Sequence, residues 1–185
     1  MPGCSDSAEC NVYEVCVDGS CEAGTLVFVS STTYNGNLGG VRGADAKCAE
    51  VAAAAGLRSS TWLSWTADAT FQPADAFEGQ TIPYYLVDGT KVADDWADLS
   101  DISIDNPISL DERGNAAPDG ALAWTNVDAN GGVRAGESCS DFASSDAAIS
   151  GWAGDVFATG GAWGVAGSRS CDLELHLYCF EAGPL

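Results

Sequence analysis

Eight cysteines, one histidine and an excess of carboxylates are the residues of this chain that could do chemistry. The cysteines stand at Cys4, Cys10, Cys16, Cys21, Cys48, Cys139, Cys171 and Cys179. A zinc site needs CxxC pairs or histidines at ligand spacing. Neither occurs, and His176 is the single histidine. An even number of cysteines in an acidic, lysine-poor chain reads instead as four disulfides made in an oxidising compartment. His176 shares a parity with Glu174 near the end of the chain, and such a pair could suggest acid–base work. With no second histidine and no placed nucleophile beside it, the expectation is no catalytic residue and no enzyme.

The stretch between Ser100 and Gly136 collects oxygen-bearing side chains: Asp105, Asn106, Asp111, Glu112, Asn115, Asn126, Asp128 and Asn130. Calcium takes about six to eight oxygens from carboxylates, amides and carbonyls, so these are the residues expected to hold it. Asp128-Ala129-Asn130-Gly131 resembles the start of an EF-hand loop, without the glutamate that closes one. The competing reading is a solvated acidic face in which Asp, Asn and Gly serve turns. Six tryptophans read mainly as core pieces because each buries so much area. Trp124, inside Trp124-Thr125-Asn126, and Trp163, framed by Gly161 and Gly164, are the two expected to meet a ligand.

Charge limits the partners. The chain carries 27 acidic residues against seven basic ones, a formal charge of −20. Such a surface repels phosphate backbones and anionic membranes, which argues against nucleic acid. No segment approaches the roughly 20 apolar residues of a membrane span, so no membrane insertion is expected. Met1 is followed almost at once by Pro2 and Cys4 rather than by a signal peptide, so for a secreted protein the start reads as processed or re-engineered.

The elements that must position these residues fall into two parts. Residues 1–24 pack four cysteines at the spacing C-x5-C-x5-C-x4-C with hardly any other apolar material, and a piece that small needs staples. Four cysteines allow three pairings, and spacing alone does not choose. Residues 25–185 form the main domain. Leu26–Val29 is a continuous apolar run suited to a strand covered on both sides. Gly43–Gly56 has helical spacing, with Ala44, Cys48, Val51, Ala52 and Ala55 inward and Gly56 as the residue that ends it. Thr61–Trp65 reads as a strand with two aromatics on one face. Pro73–Phe77 reads as a short helix opened by proline. Tyr84–Val87 reads as a strand turned back by Asp88-Gly89, and Val92–Leu99 holds one helical turn. Ser100–Gly136 has little periodicity. The closing Ser170-Cys-Asp-Leu-Glu-Leu-His-Leu-Tyr-Cys-Phe-Glu181 alternates strictly. That predicts one strand with Cys171, Leu173, Leu175, Leu177 and Cys179 buried and Asp172, Glu174, His176 and Tyr178 wet.

Two resemblances add to this reading. CSDSAECNVYEVCVDGSC resembles the short cysteine-rich repeats of secreted bacterial proteins, C-x5-C-x-x-G-x-x-C-x4-C, although Asn11-Val12-Tyr13-Glu14-Val15 lacks their glycine. It implies Cys4 paired with Cys16 and Cys10 with Cys21, in a stabilising clip or an adhesion module. VFVSSTTYNGNLGGVRGADAKCAEVAAAAGL, TWLSW, YYLVDGTKVADDWADL, DNPISLDERGN and LYCFE, over about residues 25–181, resemble a family of bacterial secreted domains of uncharacterised function. That family is similar in fold to endostatin and the C-type lectins.

The second resemblance implies an α+β, C-type-lectin-like (endostatin-like) domain: a small antiparallel sheet, two flanking helices, paired N- and C-terminal strands and a long loop region. It also implies the disulfides Cys48–Cys179 and Cys139–Cys171. C-type lectins bind calcium and sugar through Glu-Pro-Asn or Gln-Pro-Asp and a later Trp-Asn-Asp; here the nearest matches are Asp105-Asn106-Pro107 and Trp124-Thr125-Asn126 with Asp128. The expected function is a secreted, non-enzymatic binding or adhesion domain at a bacterial surface, with calcium as its possible cofactor and a glycan or surface protein as its ligand. The alternative is a structural subunit that binds copies of itself in an extracellular filament or surface layer.

Overall fold

The computed structural model describes residues 3–58, 60–128 and 130–183. It is an α+β protein, with a small two-stranded sheet near the N-terminus and a larger, mixed eight-stranded sheet. The N-terminal unit begins with a 3-10 turn at Ser7–Glu9, where Asp6 Oδ1 accepts from the Ala8 N–H at 2.7 Å. Strands β1 (Glu14–Val17) and β2 (Ser20–Ala23) follow as a hairpin. Asp18 and Gly19, at φ 50° and 81°, make its two-residue turn. Disulfides Cys4–Cys16 and Cys10–Cys21 staple it. The unit is seated on the main body, because Val15 is fully buried beside Leu26 and Phe28. Arg58 also donates from Nη1 to the carbonyls of Asn11 and Glu14.

The large sheet is built around two strands, β3 (Thr25–Val29) and the last strand, β10 (His176–Glu181). They run antiparallel, with Val29 opposite Tyr178 and Val27 opposite Phe180. Strands β4 (Trp62–Ser64), β5 (Tyr84–Tyr85), β6 (Lys91–Ala93), β7 (Leu122–Trp124), β8 (Ser150–Asp155) and β9 (Gly167–Ser170) complete it. The order is β6-β5-β3-β10-β7-β8-β9, with β4 also paired to β10. Two pairs are parallel, β3 with β5 and β10 with β7, so the sheet is larger and less uniform than the small antiparallel one the resemblance implied.

Both faces of the central strands are covered. Val27, Val29, Tyr178 and Phe180 enter one core, with Trp65 at its centre; its ring lies 4.9 Å from Phe180 and 5.0 Å from Trp163. Leu26, Phe28, Leu177 and Cys179 enter the other, against the long helix α1 (Gly40–Ala54). Helix α1 presents Val41, Ala44, Cys48, Val51 and Ala52 to that core, and the half-buried Ala55 caps it. It ends as expected at Gly56, whose φ of 77° suits glycine. Gly56 N–H bonds Ala53 O and Leu57 N–H bonds Ala52 O, both at 3.0 Å, which satisfies two carbonyls of the last turn. Three short helices follow at Pro73–Phe77 (α2), Trp96–Leu99 (α3) and Cys139–Phe142 (α4).

Several expectations fail for physical reasons. The closing strand starts at His176 rather than Ser170. Residues 171–175 form a turn, leaving Leu173 exposed, while His176 and Tyr178 are buried. Alternation held, but the second face meets a second core instead of water. Trp62 and Trp65 do not share a face: Trp62 packs on Phe28 and Trp65 in the opposite core, because residues three apart in a strand point to opposite sides. Strand β7 lies in the aperiodic Ser100–Gly136 stretch, and β8 and most of β9 lie where no element was expected. Their alanines, serines and glycines carry no apolar alternation, so the neighbouring strands hold them in the sheet.

Disulfide Cys48–Cys179 joins α1 to β10, and Cys139–Cys171 joins α4 to the end of β9. These are the pairs the resemblance implied. Cys139, Ser140, Asp141 and Phe142 all have φ between 51° and 57°, a left-handed turn disfavoured by about 1–2 kcal/mol per residue. The bond to Cys171 and the buried Phe142 ring hold it. Four disulfides fit an oxidising, extracellular setting. Among the described residues no helix is long and apolar enough to cross a membrane.

Close packing also explains Gly154 on β8. A Cβ there would lie 1.8 Å from the Trp163 carbonyl oxygen. Gly154→Ala is expected to cost about 2–3 kcal/mol, because backbone rather than a flexible side chain must move. Urea unfolding of the variant checks this, and an unchanged midpoint would refute it.

Candidate ligand cleft

The loop after β7 carries most of the residues singled out by the sequence. Thr125 and Asn126 are tied down first: Thr125 Oγ1 donates to Gly164 O at 2.7 Å, and Asn126 Nδ2 donates to Ala67 O at 2.8 Å. Asn126 has a φ of 54° and is 1% exposed, so it positions the loop and does not face solvent. Asp128 then closes a turn, its Oδ1 accepting from the N–H groups of Asn130 and Gly132, both at 2.9 Å. Arg134 returns beside Asn126, with its N–H on Asn126 O at 3.0 Å.

Of these residues, Asp128 and Arg134 line a cleft of about 260 Å³ with Ile102, Gly161, Trp163, Gly164 and Val165. Trp163 is nearly buried against Trp65 and Tyr178 and also lines the cleft. Ile102, 54% exposed, forms part of the rim. The Arg134 guanidinium lies over the Trp152 ring, 4.1 Å from its centroid. Arginine stacks readily on an indole because its delocalised cation is weakly hydrated. The guanidinium makes no ion pair, and Arg134 Nε and Trp152 Nε1 are buried donors with no acceptor among the described residues. Asp128 Oδ2 likewise makes no hydrogen bond to a described residue. Among the residues that line the cleft are therefore one cation without an ion pair and one carboxylate with an oxygen free of hydrogen bonds to the described residues.

A wider cleft of about 530 Å³ lies at the start of α1, lined by Arg42, Asp45, Asp68, Thr70 and Phe71. Its carboxylates are committed. Asp68 Oδ1 accepts from Thr70 N–H and Oγ1, each at 2.7 Å, and from Phe71 N–H at 3.0 Å. Burial opposes its charge, but these bonds outweigh burial and hold the carboxyl below its usual range. Asp45 accepts from Ser64 N–H and Oγ, yet burial wins there and pushes its carboxyl up. A raised folded-state value means that Asp45 favours folding below its ordinary value near 3.8, and that this contribution is lost as pH rises through the folded value. Asp45→Asn keeps an acceptor for Ser64 without the charge. Its melting temperature is expected to exceed the parent's at neutral pH and to match it in strong acid; a lower value at neutral pH would contradict this.

The expected calcium ligands do not converge. Asp105 pairs with Lys91 at 3.2 Å, and Asn106 Nδ2 donates to the Lys91 carbonyl. Asp111 Oδ1 accepts from Arg113 N–H and Asn115 N–H within its own turn. Glu112 is buried, accepting from Ser31 N–H and Oγ and paired with Arg113. Asn130 is exposed. Among the described residues, the only group of three His, Cys, Asp or Glu side chains close enough for a shared ion is Cys4, Cys10 and Cys21, all in disulfides. Trp124, expected to meet a ligand, is instead fully buried, its Nε1 donating to Tyr34 O at 2.8 Å. His176, expected to be wet, is buried with Nδ1 2.6 Å from Ser30 O, while Glu174 stays exposed.

Of the expected site residues, Asp128 and Trp163 meet in the cleft. Ile102 and Arg134 join them unannounced, although Arg134 is one of only seven basic residues and that scarcity was a signal. Compared with known proteins, the chain matches no family model and no curated protein.

Proposed function

We propose that this chain is a secreted, non-enzymatic binding domain of C-type-lectin-like fold that acts at a bacterial surface and takes its ligand in the Asp128–Arg134–Trp163 cleft. One observation carries the reading: a guanidinium over Trp152 and a half-free carboxylate line one concave site, and the two form no ion pair with each other or with another described residue. Specific pockets combine an apolar wall with a few convergent polar groups, and this cleft has both. The pairing of β3 with β10 and the disulfide-tied loop that enters from β7 support the lectin-like assignment. Glycan arrays and pull-downs against surface extracts, each with calcium and with chelator, test the reading. Selective retention of one ligand class is expected, and uniform silence under both conditions would overturn it.

A further inference from the structure

Resting on the proposed binding role, we infer that the cleft recognises a carboxylated saccharide, a uronic-acid-type ring whose carboxylate sits on Arg134. The chain holds seven basic residues, and their fates differ. Arg58, Lys91 and Arg113 are paired with carboxylates, whereas Arg134 lines a concave site without one. In a protein of formal charge −20, an arginine that shares a small cleft with Asp128 yet forms no ion pair among the described residues leaves its guanidinium open to a ligand's carboxylate. Its planar fork matches a carboxylate through two parallel N–H···O bonds. Contact with the Trp152 ring restrains the guanidinium, so less freedom remains to be lost when the ligand arrives.

The second group in the cleft decides what must accompany the carboxylate. Asp128 Oδ1 is held by two backbone N–H groups, and the remaining oxygen is an acceptor only. The ligand must therefore present O–H donors a short distance from its own carboxylate. A uronate ring does both, whereas an aspartate or glutamate side chain from a protein would bring a second acceptor against Asp128. The cleft volume of about 260 Å³ falls just below that of drug-sized sites, which suits one ring rather than a long chain. Ile102 and Trp163 supply the apolar side that a sugar ring's C–H face requires.

The test is a titration of the full chain with D-glucuronate, glucose and acetate, followed by the indole N–H resonances of Trp152 and Trp163. Glucuronate is expected to shift both saturably, with glucose and acetate each at least about tenfold weaker, since one charge-assisted pair is worth about that factor. Arg134→Gln is expected to remove the response and Arg134→Lys to weaken it, with both variants still unfolding cooperatively. Acetate matching glucuronate would overturn the saccharide assignment in favour of a bare carboxylate, such as an acidic side chain. No response to any of the three would overturn the inference outright. A neutral glycan found on arrays and bound equally well by Arg134→Gln would refute the inference and leave the binding role standing.

Discussion

Replacing Cys48 and Cys179 together by alanine is expected to lower the free energy of unfolding by about 5 kcal/mol. The disulfide closes a loop with a sequence separation of 131, and the chain-entropy argument gives that figure for a loop of this length. The same reasoning assigns about 4 kcal/mol to Cys139–Cys171, with its separation of 32. Domains are stable by about 5–15 kcal/mol in all, so losing the larger bond removes a third or more of the margin. Both sulfurs are fully buried where α1 crosses β10, and a small cavity adds to the cost. Urea titration of the double variant measures it. A loss under about 1 kcal/mol would mean that sheet pairing alone holds the helix against the last strand.

Glu181→Ala is expected to cost about 3–5 kcal/mol and to loosen the N-terminal unit. Glu181 is fully buried, and its carboxylate accepts from Leu26 N–H, Ser60 Oγ and the Arg58 guanidinium. Arg58 is itself nearly buried and donates onward to Asn11 O and Glu14 O, linking the last strand to the cysteine-rich unit. Removing the carboxylate leaves a buried cation without its counter-charge, which is the expensive way to break such a pair. Limited proteolysis reports the consequence, since cleavage between about residues 10 and 24 should speed up in the variant. The double replacement Arg58→Met with Glu181→Leu should cost less than Glu181→Ala alone. A double variant that is worse than the single would show that the hydrogen bonds to the N-terminal unit matter more than the orphaned charge.

The arginine that holds this knot and the one that lines the cleft share a single sequence signal, the scarcity of basic residues, and it does not tell them apart. Arg58 follows a helix and Arg134 follows a glycine-rich turn, and neither position carries a motif. Asp105, Asp111 and Asp128 stand as close in the chain as the carboxylates of a calcium loop, and each has a local partner in the fold: Lys91, the Asp111 turn and, for one oxygen, the Asp128 turn. Local hydrogen bonding explains an Asp-rich loop as well as an ion does.

What the sequence determined by itself was the material with strong local rules. The continuous run Leu26–Val29 specified a strand covered on both sides, and small residues at helical spacing specified α1 with Cys48 inward. Gly56 and Asp88-Gly89 specified where chain direction changes. Tertiary structure decided the rest. Strands β7 to β9 are strands because neighbours bond them, not because alanine, serine and glycine prefer extension. The even-numbered face of β10 is buried because α2, α3 and the loop carrying Trp163 close over it, giving Tyr178 and Phe180 a second core. The cleft exists because Asp128, Arg134 and Trp163 meet where that covering loop passes β8, a long-range contact that no local periodicity encodes.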